Sequence, residues 1–252
     1  MMNNFSPQSA VIRTEDPRFL RGSGEYIDDI NIPNQTYGYL LRSPHASAKI
    51  ISIDTNDAKL APGVIDILTG KDYLAAGLGP MPHSAAKSAN FDPANIYQAI
   101  QYPLASDQVR YVGDGVAFIV AESKLQAQDA AELIEVEYKV LDAVVGPSMA
   151  IDANGPLVRE DCPNNIAYEF HEGDQVAVND AFEEAFHIAK QTIRINRLTA
   201  SPMETRGVVA DYNPNTKFTT IYLPTQGAFG ARNMLANTLF RQPVESFRII
   251  TG

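Results

Sequence analysis

The stretch "GVAFIVAESKLQAQDAAELIEVEYKVL", residues 115–141, decides how this chain is read. Residues 115–121 are apolar and rich in strand formers. Ser123 offers a hydroxyl at the N-cap of a following helix. Ala127, Ala130, Ala131 and Ile134 recur at i, i+3, i+4 and i+7, one face of an α-helix. Residues 135–141 return to period-2 alternation and read as a second strand. Strand, helix and strand within about 30 residues form a compact α/β layer.

Working outward, "YGYLLRS" (37–43) and "AKIISID" (48–54) read as strands. Asp54 or Thr55 is placed to cap a short helix ending at the Pro62-Gly63 turn. "VIDIL" (64–68) reads as a buried strand, and the polar, proline-rich passage 77–95 as a long surface loop. Residues 146–165 are dense in turn formers and mark a boundary. Beyond it, "NIAYEFHEGD" (165–174) reads as a strand entering a turn. Asp174 is placed to cap a helix in which Val178, Phe182 and Ala185 share a face. "IAKQTIRINRL" (188–198), "RGVVADYN" (206–213), "KFTTIYL" (217–223) and "ESFRIITG" (245–252) read as strands. "GAFGARNMLANTLF" (227–240) reads as a helix with Ala228, Ala231, Leu235 and Leu239 inward.

Composition narrows the function classes. The chain has 252 residues, 45% hydrophobic and 20% charged, as in a soluble globular protein. A formal charge of −10 opposes nucleic-acid phosphates, so nucleic acid is not an expected partner. No apolar run of about 20 residues suggests a membrane span, and the N-terminus has no signal-peptide pattern. A single cysteine, Cys162, excludes an internal disulfide and any cysteine-ligated cluster within the chain. A cytoplasmic location is expected. His45, His83, His171 and His187 show no metal-ligand spacing. Cys162 in its turn is a weak nucleophile candidate. Asp114 reads as a turn residue, and Glu183-Glu184 as a solvated helix face.

The segments "GSGEYIDDI", "RSPHASAKI" and "PGVIDILTG", in that order, resemble the opening of molybdenum hydroxylase large subunits, the xanthine dehydrogenase, aldehyde oxidase and carbon monoxide dehydrogenase family. "VRYVGDGVAFIVAESKLQAQDAAELIEVEYKVLDAVV" is similar to the second half of that family's α/β hammerhead domain. "ASPMETRGVVADY" and "LPTQGAFGARNMLANTLF" resemble the start of its molybdopterin-binding region. The resemblance implies an α+β fold: a hammerhead domain over 16–145, a linker over 146–165, and an incomplete α/β molybdopterin-binding domain over 166–252.

It also implies a molybdenum–pterin cofactor, with the cytosine dinucleotide form favoured. The metal would be held through the pterin's sulfurs, so no protein metal ligand is expected. Gln226 matches the family's glutamine beside the metal's apical oxygen; an amide donor suits that place because it adds no charge. The amides of Gly227, Ala228 and Phe229 open the following helix and are expected to face the cofactor. Glu204 and Arg206 in "PMETRG" read as a structural ion pair or hydrogen-bond clamp, and "RSPHA" (42–46) as an architectural turn. The family's G-G-x-F-G segment and general-base glutamate have no counterpart in these 252 residues. No catalytic residue is therefore expected here, and the chain alone is expected to be inactive. Expected partners are a C-terminal molybdopterin-binding part, iron–sulfur and flavin subunits or domains, and a small-molecule substrate. No iron–sulfur cluster or flavin is expected on this chain. The alternative is a non-catalytic hammerhead scaffold or interaction module.

Overall fold

A computed structural model describes residues 13–82 and 96–251. His83 and most of the expected loop 77–95 lie outside them. In chain order the elements are helix α1 (Asp16–Leu20), strands β1 (Tyr37–Arg42) and β2 (Ala48–Asp54), helix α2 (Asn56–Leu60), strand β3 (Val64–Thr69) and helix α3 (Gly70–Ala75). Strands β4 (Gln108–Val109) and β5 (Gly115–Ala121), helix α4 (Lys124–Glu132), strand β6 (Glu135–Val140) and helices α5 (Pro147–Ala150) and α6 (Gln175–Glu183) follow. Strands β7 (Val209–Asn213) and β8 (Phe218–Tyr222), helix α7 (Ala228–Met234) and strand β9 (Phe247–Ile250) complete the set. The described residues fall into two compact units. One comprises the described parts of Asn34–Thr199 together with Asn233–Pro243; the other comprises the described parts of Met1–Pro33, Ala200–Arg232 and Val244–Gly252.

The larger unit is built on the 115–141 layer. Strand β5 lies between β1 and β3, antiparallel to both, and β2 lies between β4 and β6, again antiparallel. Ser123 Oγ accepts the N–H of Gln126, capping α4 as its position requires. The expected helical face is buried: Ala127, Ala130, Ala131 and Ile134 pack on Ile67, Ala117, Ile119 and Ala121. Three alanines on that face bring the helix backbone close to the sheet. The "RSPHA" segment is an architectural turn. Ser43 N–H donates to Asp114 O at 2.8 Å, and Gly113 N–H returns a bond to Ser43 O at 2.8 Å. Asp114 is buried, and its Oδ2 accepts the N–H of Arg110 at 3.1 Å. Gly113 takes φ +91 in that turn, a conformation that favours glycine.

Several expectations need correction. Strand β3 is not buried throughout: Ile67 is 2% exposed but Ile65 is 54% exposed. The strand lies at the sheet edge, and its register slips between Val64 and Asp66, so Ile65 is the extra residue of a bulge. Residues 165–174 and 188–198 form no strand. Both contain strand formers, and Ala167 O accepts the N–H of Tyr97 at 2.7 Å, but no regular ladder forms along either segment among the described residues, and propensity alone does not make a strand. Val178 and Phe182 share a side of α6 yet remain exposed. The 227–240 helix changes character, running as α-helix to Met234 and as π-helix over Leu235–Phe240. Ala231 is buried in the α-helical part and Ala236 in the π segment, while Ala228, Leu235 and Leu239 are half-buried. The π segment ends at Arg241 in the left-handed region. Gly79 approaches it closely: its N–H bonds Leu239 O at 2.8 Å, and a Cβ there would overlap the Thr238 carbonyl.

The turn-rich passage 146–165 is tied together by one side chain. Asn165 Nδ2 donates to the carbonyls of Ala150 and Pro156, both at 3.0 Å, and its Oδ1 accepts Val158 N–H at 2.7 Å.

Candidate cofactor-binding site

In the smaller unit, β8 pairs antiparallel with β7 and parallel with β9. A parallel pair cannot be joined by a hairpin, so the chain crosses from β8 to β9 through the α7 region. The carboxyl ends of β8 and β9 consequently finish side by side, with Tyr222 opposite Ile250. Crevices outside the carboxyl ends of parallel strands are where open α/β sheets take ligands. The loop "PTQG" leaves β8 there. Leu223 N–H extends the ladder to Ile250 O at 3.0 Å. Thr251 Oγ1 fixes the loop from the neighbouring strand end: it donates to Thr225 O at 3.3 Å and accepts Thr225 N–H at 3.4 Å.

The four expected site residues do not behave alike. Gln226 is exposed in the loop that follows β8. Gly227 is also exposed, and a Cβ there would meet nothing within 4 Å. Its N–H, however, turns back to Thr225 Oγ1 at 3.3 Å. The threonine hydroxyl two residues earlier satisfies that amide as a local turn. Gly227 O accepts Ala231 N–H at 3.0 Å and so begins the helix. Ala228 is half-buried, and Phe229 is 76% exposed. The N–H groups of Ala228 and Phe229 lie in the first turn, where no intrahelical acceptor exists.

Two cavities lie along this loop. One of about 580 Å³ is lined by Tyr222, Leu223, Pro224, Ile250 and Thr251, and on its other wall by Tyr26, Ile27 and Glu204. The other, about 390 Å³, is lined by Ala228, Phe229, Arg232, Glu245 and Arg248. Gln226 and Gly227 line neither cavity.

Glu204 acts as the hydrogen-bond clamp expected of it: its Oε1 accepts the N–H of Ile27 at 3.2 Å. Gly207, in the same "METRG" segment, sits so close that a Cβ would come 2.6 Å from Ile27 Cγ2. No ion pair joins Glu204 to Arg206 among the described residues. Three features were not foreseen. The "YIDDI" turn reaches the cavity wall, Thr251 locks the loop, and Arg232 lies over the Phe229 ring at 5.4 Å with its Nε buried and unpartnered. Ile27 and Glu204 are 177 positions apart, and nothing in local periodicity pairs residues at that distance.

The donor set suits a metal carried by an organic ligand. Among the described residues no cluster of three or more His, Cys, Asp or Glu side chains could hold a metal ion directly. Gln226 is exposed, and the N–H groups of Ala228 and Phe229, in the first helical turn, have no intrahelical acceptor; these are uncharged donors of the kind an oxo or anionic group accepts.

Residues 21–142 match the family profile described as aldehyde oxidase and xanthine dehydrogenase, a/b hammerhead domain, and residues 158–252 match that of the molybdopterin cofactor-binding domain. The chain is 36% identical over 219 residues to the nicotine 6-hydroxylase large subunit of Paenarthrobacter nicotinovorans, covering 86% of this chain and 25% of that one. It is 35% identical over 210 residues to the carbon monoxide dehydrogenase large chain of Afipia carboxidovorans, covering 79% and 24%. The crystal structure of quinoline 2-oxidoreductase from Pseudomonas putida matches with a TM-score of 0.85 at 32% identity, over 96% of this chain and 30% of that one. The chain therefore belongs to the molybdenum hydroxylase large-subunit family, with an α+β fold of hammerhead and molybdopterin-binding domains. It spans only 24–30% of the length of these relatives. Among the described residues no helix is long and apolar enough to cross a membrane.

Proposed function

We propose that this chain forms the N-terminal part of a molybdenum–pterin oxidoreductase that hydroxylates aldehydes, N-heterocycles or carbon monoxide, and works with a C-terminal molybdopterin-binding part. The observation that carries the proposal is the Gln226 loop at the carboxyl ends of the parallel strands β8 and β9, inside the segment that matches the molybdopterin cofactor-binding domain. When bound, the cofactor supplies the redox-active metal. Gln226 would donate its side-chain N–H to an oxygen ligand of that metal. The N–H groups of Ala228 and Phe229 would face the anionic part of the cofactor. Gly227 would keep side-chain bulk away, and its own N–H would hold the loop through Thr225. Domain limits of 16–145 and 166–252, joined by 146–165, go with this proposal. So do iron–sulfur and flavin centres on other subunits, a cytosine dinucleotide form of the pterin, and a cytoplasmic location.

The test is purification of the protein from its native host together with the subunits that accompany it, followed by molybdenum and pterin analysis and a substrate screen. Pterin-bound molybdenum in the complex is the expected result. A stable complex free of both would leave the chain as a hammerhead scaffold.

A further inference from the structure

Residues 188–198, "IAKQTIRINRL", have the composition of a strand and no strand to join. Every one of them is exposed. None takes part in a backbone hydrogen bond among the described residues. A run of strand formers whose N–H and C=O groups have no partner in the protein is a template for another strand.

Its side chains carry two separate signals. Thr192, Arg194 and Asn196 alternate with Ile193 and Ile195, so as a strand the run has one polar and one apolar side. Both isoleucines are exposed, and so are Phe186 and Leu198 on either side of them. Apolar surface gathered in this way marks a place that another body covers. The second signal is charge. Lys190, Arg194 and Arg197 are cations, and 188–198 contains no anion, in a chain whose formal charge is −10. Among the described residues none of the three cations forms an ion pair.

The run lies inside the segment 158–252 that matches the molybdopterin cofactor-binding domain, and the chain spans only 24–30% of the length of its relatives. A second copy of this chain is a poor occupant. Pairing 188–198 with itself sets cations beside cations, and like charges across a ladder are destabilising. Resting on the functional reading above, which supplies a C-terminal molybdopterin-binding part, we propose that a β-strand of that part completes 188–198. Main-chain hydrogen bonds hold the two together. The incoming strand sets apolar residues against Ile193 and Ile195 and acidic residues beside Lys190 and Arg194.

Hydrogen exchange followed by mass spectrometry tests this on two samples: the 252-residue chain alone, and the protein purified from its native host with its C-terminal part. Molybdenum and pterin are measured on the native sample. Amides of 188–198 should exchange freely in the chain alone and at least about 100-fold more slowly in the native sample. Carbodiimide cross-linking of the native sample should join Lys190 to an Asp or Glu of the C-terminal part. Ile193→Ser combined with Ile195→Ser should leave the circular dichroism spectrum of the 252-residue chain unchanged and speed exchange of 188–198 in the native sample about tenfold or more. Pterin-bound molybdenum with 188–198 still exchanging freely would overturn the strand proposal and leave the functional reading standing. So would cross-links made only to a second copy or to an iron–sulfur or flavin subunit, or unaltered protection in the double variant. Protection and cross-links to the C-terminal part in a sample free of molybdenum and pterin would support the strand and overturn the functional reading. A native chain with no C-terminal part would overturn both.

Discussion

Glu204 and Asn165 are single side chains that each fix backbone outside their own local turn. Glu204 takes the Ile27 N–H across 177 positions, and Asn165 gathers three backbone groups of the passage before it. Removing an acceptor from a partly buried donor costs about 1–3 kcal/mol. Glu204→Ala should therefore lower unfolding free energy by roughly 1–2 kcal/mol, while Glu204→Gln, which keeps a carbonyl oxygen, should recover most of it. Denaturant unfolding of the two variants checks this; equal loss in both would mean the carboxylate charge, not the acceptor, matters. The roles of these residues were only partly legible in the sequence. The "PMETRG" pattern pointed to a clamp but could not name Ile27 as its partner. Asn165 looked like one more turn former in a passage full of them.

At the scale of elements, what could be read followed from local periodicity. Helix α4 was legible because its cap, its alanine face and its flanking strands all lie within 27 consecutive residues, 115–141. Segments 165–174 and 188–198 were misread because strand formers report propensity, whereas a strand needs a continuous ladder, and neither segment forms one among the described residues. The π-helical stretch was also hidden, since a helical wheel assumes a constant period. Residues 188–198 include Ile193 at 73% and Ile195 at 86% exposure, outside any helix or strand. In the purified chain they should be cleaved by a broad-specificity protease before 146–165, which Asn165 ties down; first cuts at 146–165 would contradict this.

Helix α3 supplies a pH-dependent element. Asp72 Oδ2 accepts the Thr69 hydroxyl at 2.6 Å and the Thr69 N–H at 2.8 Å, and these bonds lower its pKa below the usual carboxylate value. A carboxyl with a depressed folded-state pKa stabilises the fold above its ordinary unfolded value. That contribution is lost as pH falls through the lowered folded value. Asp72→Asn should therefore cost stability at neutral pH, about 0.5–1 kcal/mol for an exposed cap. The gap to the parent should close under acid. A pH-independent difference between the two would contradict the assignment.

At the scale of the whole molecule, one part of the chain forms a hammerhead layer with its own core, and another matches the molybdopterin cofactor-binding domain, with Gln226 and Gly227 exposed in its loop. A large anionic cofactor needs enclosure on several sides, and the net charge of −10 opposes its approach. The 252 residues purified alone are expected to hold no stoichiometric molybdenum. The central claim is that Gln226 donates to a ligand of the metal, and it is tested most directly in the complex with accompanying subunits. There, molybdenum content and turnover are measured side by side for the parent and Gln226→Ala. Losing one preorganised donor should lower turnover by about 10²–10³ while molybdenum and pterin content stay near the parent's. Full turnover at full loading would show that Gln226 makes no such contact.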